Sequence, residues 1–448
     1  MFPRKLQLWH ALLLVGLVSL VTRLLYWDHP GSIVFDEVWF GQFAADYTKG
    51  LFYFDVHPPL AKLLFWWVGS LGGPVTFPNP ATIGTPYQGL SWEYMRLVPL
   101  ITGASIPVLF AVLLKELKLS PVLILLGALP VCFDTALVAD SRFILPESLL
   151  VAATLGTVVL YLVARKRNSW TLWLALGLMA GVTISIKWTG LAGLGIIVLG
   201  ELWTFLKRPS LGAGGRVSAR LGIVLVLAFA VYYSVFQIHF ALLPHAGPGD
   251  AFMTPAFQKT LVGSSYAGQV GLPTLDPWSK FCEMNVRMYT ANETLVATHP
   301  YASLWYTWPL DLRPIYYWAK NDQRIYFLGN PVVWWGSTLA VITLLTLLWT
   351  QRRAHQPKST FLLTAWAINF LPFIFIGRVM FLYHYLNALL MALAIGVWLL
   401  AQTRRPLLWL SLAAGASLAL FFWFAPLVYG LPLTLEQLGA RQWFASWR

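Results

Sequence analysis

The stretch FDEVWFGQFAADYTKGLFYFDVHPPLAK, residues 35–62, gathers acidic side chains and a histidine in a short segment of a very apolar chain, namely Asp36, Glu37, Asp46, Asp55 and His57. The adjacent pair Asp36-Glu37 has apolar neighbours on both sides, from Ile33 to Phe40. This setting indicates that the pair is folded into the protein, where burial would raise the pKa of a carboxyl and suit it to act as a general base. A solvated polar loop is the alternative interpretation, and the rest of the sequence distinguishes the two.

The composition is that of a polytopic membrane protein. Of the 448 residues, 58% are hydrophobic and only 11% are charged, with a mean hydropathy of +0.65, whereas soluble domains are about one quarter charged. The net charge of +13 does not indicate nucleic-acid binding, because the Lys and Arg residues lie in short connectors between apolar runs and form no basic face. The two cysteines, Cys132 and Cys282, predict no structural disulfide, and no zinc-ligand spacing occurs.

A membrane helix needs about 20 apolar residues, and we predict eleven spans, near residues 6–26, 96–114, 121–139, 143–164, 170–186, 188–206, 217–240, 330–350, 360–377, 379–401 and 407–427. With these spans, every dense basic connector falls on one side: Arg4-Lys5, Lys115 with Lys118, Arg165-Lys166-Arg167, Lys207-Arg208 with Arg216, Arg352-Arg353 with Lys358, and Arg404-Arg405. That side is therefore the cytoplasm, and the N-terminus lies there. We expect an integral, multi-pass protein of the plasma membrane.

The opposite side receives two long loops, loop 1 (residues 27–95) and loop 2 (residues 241–329). Within loop 1, residues 59–72 are too few to span and predict an amphipathic helix at the membrane interface. Loop 2 is rich in Trp and Tyr, which predicts an ordered segment, since disordered linkers are poor in aromatic residues. The expected organisation is an N-terminal catalytic module (1–240, including loop 1), loop 2, and a C-terminal four-helix module (330–448).

Further ionisable residues lie in or beside the spans, all near the side that carries the two loops: Arg96, Asp140, Arg142, Glu147, Lys187, Arg378 and His384. Such groups are costly in a membrane and are usually functional, although snorkelling to the headgroups would explain any one of them alone. Cations that face carboxylates at one depth predict a site outside the cytoplasm for an anionic, membrane-borne ligand, and a lipid phosphate fits. Trp305 and Trp308 predict either an interfacial aromatic belt or a surface on which a sugar stacks.

The pattern DEVWFG at residues 36–41, followed by YTKGLFYFDVHPPLAK, resembles the first outer loop of protein O-mannosyltransferases. Further segments resemble blocks of the same family in the same order: DTALVADSRFILPES (134–148), SIKWTGLAGLG (185–195), HPYASLWYTWPLDLRPIYYW (299–318), FLGNPVVWW (327–335) and RVMFLYHYL (378–386). The resemblance therefore extends from about residue 33 to residue 390.

This resemblance implies the C-class glycosyltransferase fold, an all-α bundle of about eleven spans with the active site on the outer face. The implied reaction is transfer of mannose from a polyprenyl-phosphate or dolichyl-phosphate donor to a Ser or Thr hydroxyl of a protein, with inversion. Asp36 would be the catalytic base, and Glu37 would shape the acceptor site together with Trp305 and Trp308. The expected donor phosphate and sugar site comprises His57, Arg96, Asp140, Arg142, Lys187, Arg378 and His384. No metal or other cofactor is expected, because a phosphate leaves as a stable anion and cationic side chains can hold it.

The sequence departs from the family in two places. Loop 2 is too short for the β-trefoil insert of the fungal and animal enzymes, which predicts a bacterial-type enzyme with an undecaprenyl-type donor. Asn387 follows the HYL motif where the family usually has Pro. Two alternatives remain open: the same fold acting on a lipid or cell-wall glycan acceptor, and a transporter, which would distribute its charged residues along a path through the membrane.

Overall fold

The computed structural model of the chain describes residues 6–294, 298–351 and 356–448, and most of these residues are helical. In chain order the α-helices are α1 (Leu8–Leu24), α2 (Glu37–Lys49), α3 (Leu60–Gly69), α4 (Ser91–Glu116), α5 (Pro121–Cys132), α6 (Thr135–Asp140), α7 (Glu147–Arg167), α8 (Trp170–Ile186), α9 (Leu191–Lys207), α10 (Leu211–Leu242), α11 (Pro255–Gln258), α12 (Pro277–Thr294), α13 (Pro331–Thr350), α14 (Pro357–Phe370), α15 (Leu386–Leu400), α16 (Pro406–Tyr429) and α17 (Leu435–Arg441). Two strands, β1 (Ile315–Lys320) and β2 (Gln323–Phe327), pair as an antiparallel hairpin. This hairpin is a small departure from the predicted all-α class.

Each of the eleven predicted spans overlaps a helix, which confirms a multi-pass helical membrane protein. Within the described residues, eight helices are long and apolar enough to cross a membrane: α4, α7, α9, α10, α13, α14, α15 and α16, with the 3₁₀ turns that extend three of them. Helices α1, α5 and α8 have 17, 12 and 17 residues, fewer than the roughly 20 that a span needs. The count of eleven spans therefore stays a prediction.

The third predicted span, residues 121–139, is wrong as one continuous helix, because the chain breaks between α5 and α6. Asp134 lies at the break and caps α6, its Oδ1 accepting a hydrogen bond from the Leu137 N–H at 2.9 Å. Its Oδ2 accepts from the Trp334 indole at 2.9 Å and from the Asn330 N–H at 3.1 Å. A buried carboxylate with these partners stops the helix and joins the N-terminal half of the chain to the start of α13.

Loop 1 folds into two helices that lie on the bundle. The helix predicted within residues 59–72 is present as α3, continued by a 3₁₀ turn over Ser70–Gly72, and its position at the membrane interface stays a prediction. Trp67 on this helix is exposed, whereas Lys62 is buried, as expected for a helix with one face on the protein and one at the interface. The preceding helix α2 ends at Gly50, whose φ of 68° lies in the left-handed region that glycine adopts without strain.

Loop 2 is ordered, as predicted, over its described residues and packs on loop 1. The Phe35 N–H donates to the Tyr317 carbonyl of β1 at 3.1 Å, and the Trp318 indole donates to the Ser32 hydroxyl at 3.0 Å. Farther along loop 1, the Phe52 N–H donates to the His245 carbonyl at 2.9 Å. These bonds fix the start and the middle of the 35–62 stretch against loop 2.

The transmembrane part of the fold is built around α7 and α15, the most enclosed of the eight long helices. Helix α4 packs on α7, and α13 and α14 pack on α15. The loop-side ends of these helices lie against loops 1 and 2, so ionisable residues from distant parts of the sequence meet there.

Candidate active site

The adjacent carboxylates Asp36 and Glu37 lie in different environments because the chain turns sharply at Phe35. Phe35 has a φ of 43°, and its ring stacks on Tyr317 with centroids 4.7 Å apart. Asp36 is the N-cap residue of α2, and Glu37 is the first residue of that helix. Glu37 is fully buried, whereas Asp36 is partly exposed. Adjacent carboxylates therefore have separate roles.

Glu37 forms a buried ion pair with Arg96 of α4. The Arg96 Nε and Nη2 atoms donate to the two carboxylate oxygens, each at 2.8 Å. The same carboxylate accepts from the N–H groups of Val34 and Ile144 at 2.8 and 2.9 Å, and from the Tyr87 hydroxyl at 3.0 Å. This bidentate pair ties loop 1 to α4 and to the connection between α6 and α7.

Two further Arg96 N–H groups donate to backbone carbonyls. Its Nη1 donates to the Pro30 carbonyl at 2.8 Å, and its Nη2 also donates to the Ser32 carbonyl at 3.1 Å. The Trp92 and Phe143 rings cover its guanidinium at 4.8 and 5.0 Å. Arg96 is fully buried, so the structure does not support its predicted contact with a donor phosphate. The fully enclosed Glu37 likewise does not reach an acceptor.

The Asp36 carboxyl is free of hydrogen bonds from the part of the chain that the structure describes. The pKa of Asp36 is raised to about 7, mainly by burial and then by the nearby Glu147 carboxylate, while the Lys187 ammonium partly opposes both effects. A carboxyl with a pKa near neutrality and no structural hydrogen bond fits a general base.

Four of the seven residues predicted for the donor site line one cavity of about 360 Å³: His57, Lys187, Arg378 and His384. They come from loop 1, the break between α8 and α9, and the connection between α14 and α15. The fold thus brings these four residues together from three distant parts of the sequence, and their contact with the donor stays a prediction.

The cations of this cavity differ in their partners. Lys187 forms an ion pair with Glu147 and lies 5.2 Å from the centroid of the Tyr383 ring. Arg378 donates to the Asn292 side-chain oxygen. It forms no ion pair with any carboxylate of the described residues, although Glu293 lines the same cavity. Arg378 is therefore a cation without a paired counter-charge, as an anion-binding site requires.

His57 is held neutral in this cavity. Burial lowers the pKa of its imidazole well below the usual range, and the nearby cations Lys187, Arg378 and Lys62 lower it further. Lys62 itself forms an ion pair with Asp55 and donates to the His57 carbonyl at 2.7 Å. A neutral imidazole can both donate and accept a hydrogen bond, which suits a sugar hydroxyl.

A second cavity, of about 380 Å³, adjoins the first and is mostly apolar. The two share Trp188, Thr189, Phe373, Ile376 and His384. The apolar cavity continues between α9 and α14, past Ala192 and Ile368. A polar, cationic chamber that opens into an apolar groove within the membrane part matches a ligand with a charged head and a hydrocarbon tail.

Asp140 and Arg142 do not line these cavities. The Asp140 carboxylate accepts from the Ser148 hydroxyl at 2.8 Å, within the cluster that contains Glu147. Arg142 is fully buried and donates to backbone carbonyls, including Val428 at 2.6 Å. The structure therefore gives no support for a contact between Arg142 and the donor. Instead, the hydrogen bonds of Arg142 connect α16 to the N-terminal half of the chain.

The two tryptophans predicted to contact the acceptor do not form an open stacking surface. Trp308 is fully buried, donates to the Ser303 hydroxyl at 2.8 Å, and stacks on His384 with centroids 5.7 Å apart. Trp305 is partly buried and packs edge-on against Phe370. The prediction for Trp308 is wrong in physical terms, since a side chain enclosed by protein cannot stack on an acceptor.

Sequence reasoning missed residues that line the site and carry no charge, above all Asn292 of α12 and Tyr383. Glu147 was recognised as a charged residue beside a span but not as the partner of Lys187. The two residues of this ion pair are 40 positions apart along the chain, and no sequence pattern indicates that they pair. Tyr383, in contrast, directly precedes the predicted site residue His384, and this position could have indicated that Tyr383 belongs to the site.

Comparison with known proteins gives two family matches. Residues 13–244 match the family described as dolichyl-phosphate-mannose-protein mannosyltransferase. Residues 277–447 match the C-terminal four-TMM region of protein O-mannosyltransferase.

Curated relatives are fungal and animal proteins. Dolichyl-phosphate-mannose–protein mannosyltransferase 4 of Candida albicans is 37% identical over 57% of this chain and 36% of its own length. Mannosyltransferase 1 of the same organism is 23% identical over 96% of this chain and 77% of its length. Protein O-mannosyltransferase 1 of Drosophila melanogaster is 35% identical over 57% of this chain and 30% of its length. The first of these matches covers about a third of the relative.

Solved structures share the fold. The Saccharomyces cerevisiae Pmt1-Pmt2 complex bound to the sugar donor matches with a TM-score of 0.89 at 21% identity, covering 99% of this chain and 93% of that chain. ArnT from Cupriavidus metallidurans bound to undecaprenyl phosphate matches with a TM-score of 0.57 at 14% identity, covering 96% and 77%. These similarities confirm the C-class glycosyltransferase fold.

The geometry of the Glu37–Arg96 pair predicts the effect of an Arg96→Met substitution. The change leaves the Glu37 carboxylate buried without its partner, so we expect a loss of roughly 3–5 kcal/mol of stability. A thermal unfolding scan in detergent measures this loss. The double variant Glu37→Gln with Arg96→Met removes both charges and should recover much of the midpoint temperature. An Arg96→Met protein that unfolds like the wild type but has lost donor affinity would contradict this account and restore the phosphate role.

Proposed function

We propose, because the chain belongs to the protein O-mannosyltransferase family, that it is an inverting glycosyltransferase that moves mannose from a polyprenyl-phosphate donor to Ser or Thr hydroxyls of proteins. The observation that carries the proposal is the cationic cavity lined by Lys187 and Arg378, which opens into an apolar groove. The charge of Lys187 also acts on the Asp36 carboxyl and opposes the rise of its pKa. This arrangement supplies a place for an anionic head, a place for a hydrocarbon tail and a base.

Arg378 and Lys187 hold the donor phosphate in this proposal. Arg378 contributes the charge that has no paired carboxylate in the described chain, and Lys187 adds an ammonium group that Glu147 holds in place. As the sugar leaves, negative charge develops on the phosphate, and cations already in position stabilise it without rearrangement. The neutral His57 and the adjacent His384 contact the sugar hydroxyls.

The polyprenyl chain occupies the apolar groove between α9 and α14. The groove begins at Thr189 and His384, which also line the cationic cavity, and continues along Ala192 and Ile368. The head and the tail of one amphipathic molecule therefore fit the two compartments in a single orientation.

Asp36 acts as the base. It accepts the proton of the acceptor hydroxyl while that oxygen attacks the anomeric carbon on the face opposite the phosphate. The bond from the anomeric carbon to the phosphate oxygen breaks, and polyprenyl phosphate leaves as an anion with both electrons. Because the leaving anion is stable, no general acid is needed, and a single displacement inverts the anomeric centre.

Glu37 and Arg96 serve this chemistry at a distance, because their ion pair holds the turn that presents Asp36. No metal is required by the scheme, since Arg378 and Lys187 neutralise the phosphate. We expect turnover to be unchanged by a chelator. The site faces outside the cytoplasm of a plasma membrane, as the distribution of basic connectors predicts.

The proposal is tested by incubating the purified protein with polyprenyl-phosphate-mannose and a Ser/Thr peptide, and by measuring the mass of the peptide. We expect an increase of one hexose. Parallel reactions with dolichyl and undecaprenyl carriers identify the lipid, and parallel reactions with lipid or glycan acceptors test the alternative acceptor class. Transfer of mannose only to lipid or glycan acceptors would contradict the proposal that proteins are the acceptors. Transfer to none of the acceptors would contradict the proposed glycosyltransferase activity.

The raised pKa of Asp36 predicts the pH dependence of the rate. The base acts only when deprotonated, so kcat/KM should rise with pH through a midpoint of about 7 and fall about tenfold per pH unit well below it. Asp36→Asn should reduce kcat by at least about 10²–10⁴-fold and leave donor affinity largely intact. Wild-type rates in this variant, or a rate that does not change between pH 6 and pH 8, would remove Asp36 as the base.

The unpaired charge of Arg378 predicts the result of Arg378→Ala. A charge-assisted hydrogen bond contributes about 1.5–3 kcal/mol, so the Kd for polyprenyl phosphate should rise about 10- to 100-fold. Arg287→Ala is the matched control, because Arg287 is exposed on α12 and does not line the cavity. Equal effects of the two substitutions would show that only the overall surface charge matters.

The groove predicts that Ala192→Trp discriminates between donors by chain length. The larger side chain fills the groove, so affinity for a long-chain polyprenyl donor should fall, while a short-chain analogue keeps its affinity. Leu199→Trp, on the exposed face of the same helix α9 and outside the groove, should leave both unchanged. Binding isotherms for the two donors measure the difference, and equal losses for both would place the hydrocarbon chain elsewhere.

A further inference from the structure

Asn292, near the C-terminal end of α12, makes hydrogen bonds in three directions. Its side-chain oxygen accepts from the Arg378 Nη1. Its amide nitrogen donates to the Val56 carbonyl at 2.9 Å and to the Met288 carbonyl, one turn earlier on α12, at 2.8 Å. The last of these bonds fixes the orientation of the amide, so that its oxygen faces Arg378.

The three segments that Asn292 joins all line the cationic cavity. Val56 and His57 belong to loop 1, Asn292 itself belongs to loop 2, and Arg378 belongs to the connection between α14 and α15. Loop 2 is therefore part of the site through an uncharged residue, which the charge pattern of the sequence could not reveal.

Arg378 depends on this contact for its position. It lies in a stretch without regular secondary structure, close to the largely exposed Phe375. Throughout residues 6–294, 298–351 and 356–448, Asn292 is its only hydrogen-bond partner. The hydrogen bond to Asn292 therefore restricts the rotamers of the long Arg378 side chain, and without this bond the side chain would be free to adopt others.

The chemical type of the anchor also matters. The other cations near the site, Arg96, Lys187 and Lys62, are each paired with a carboxylate. Arg378 is paired with an amide, which orients the guanidinium through a hydrogen bond but leaves its charge uncompensated. A carboxylate at the same place would orient the group equally well and neutralise it.

We propose that Asn292 is a positioning residue that holds the Arg378 guanidinium toward the phosphate of the lipid-linked donor and, being an amide, preserves its charge for that anion. This inference rests on the proposed function, because it assigns the anion as the donor phosphate. It predicts that the charge of residue 292, and not only its hydrogen bonds, determines donor affinity.

The experiment measures the Kd of the full-length protein for polyprenyl phosphate, which contains the anion without the sugar, together with the thermal midpoint. Asn292→Asp keeps an acceptor for Arg378 but adds a negative charge, so the Kd should rise about tenfold or more at a nearly unchanged midpoint. Asn292→Ala removes the anchor without adding charge and should raise the Kd less. Because Arg378 also stabilises the charge that develops on the leaving phosphate, kcat at saturating donor should fall as well, and it should fall more in Asn292→Asp than in Asn292→Ala.

Two controls separate positioning from a structural role. Asn285→Ala removes an amide of the same helix that bonds Tyr232 and the Phe281 carbonyl and does not line the cavity, so it should leave the Kd unchanged. In an Arg378→Ala background, Asn292→Ala should add no further loss of affinity, because its target is gone. Additive losses, or an Asn292→Asp protein that binds like the wild type, would overturn the inference.

The outcome for this inference is separate from that for the proposed function. A wild-type protein that binds polyprenyl phosphate through Arg378 and Asn292 but transfers no mannose would overturn the function and leave the positioning role standing. If the wild-type protein transfers mannose but substitutions at residue 292 do not change its donor affinity, the proposed function stands and the positioning role of Asn292 is overturned. A wild-type protein that does not bind polyprenyl phosphate would overturn both.

Discussion

The site depends on the buried ion pair between Glu37 and Arg96. Two charges in a low-dielectric interior are stable only when both are well hydrogen-bonded. Here five hydrogen bonds converge on the carboxylate, and backbone carbonyls accept two further hydrogen bonds from the guanidinium. The pair fixes the start of α2 against α4. Asp36 immediately precedes Glu37, so the inward position of the Glu37 carboxylate also determines the position of the Asp36 carboxyl. Asp36 therefore lies outside the hydrogen bonds of the ion pair and within the electrostatic influence of Lys187.

The cations near the site fall into two groups, which differ in burial and in their hydrogen-bond partners. Arg96 and Arg142 are enclosed by protein and donate hydrogen bonds to protein groups, so they stabilise the fold. Lys187 lines the cavity but shares its charge with Glu147, and Arg378 lines it with an amide as its partner. An enclosed cation contributes to structure, whereas a cation that lines the cavity without a carboxylate partner is available to an anionic ligand. The adjoining apolar groove then restricts that anion to one attached to a hydrocarbon chain.

Sequence alone predicted the helical membrane class, the ordered loops and the four residues that line the cavity, because hydropathy, aromatic content and motif order are local properties. The sequence could not show that Arg96 and Arg142 are structural while Lys187 and Arg378 line the cavity. All four residues are predicted at a similar depth in the membrane, and only their partners in the folded protein differ. The break at Asp134 was hidden inside an apolar run, and its cause is a tertiary contact with Trp334. Trp308 was misjudged for a related reason, because a sequence does not show which aromatic ring will be enclosed. Asn292 carries no charge and so gave no signal.

The most direct test of this account is a structure of the protein with polyprenyl-phosphate-mannose bound. The account predicts the phosphate within hydrogen-bond distance of Arg378 and Lys187, the lipid chain between α9 and α14, and the anomeric carbon between the phosphate and the Asp36 carboxylate. A phosphate bound at Arg96 or Arg142, or a lipid chain outside the groove, would contradict it.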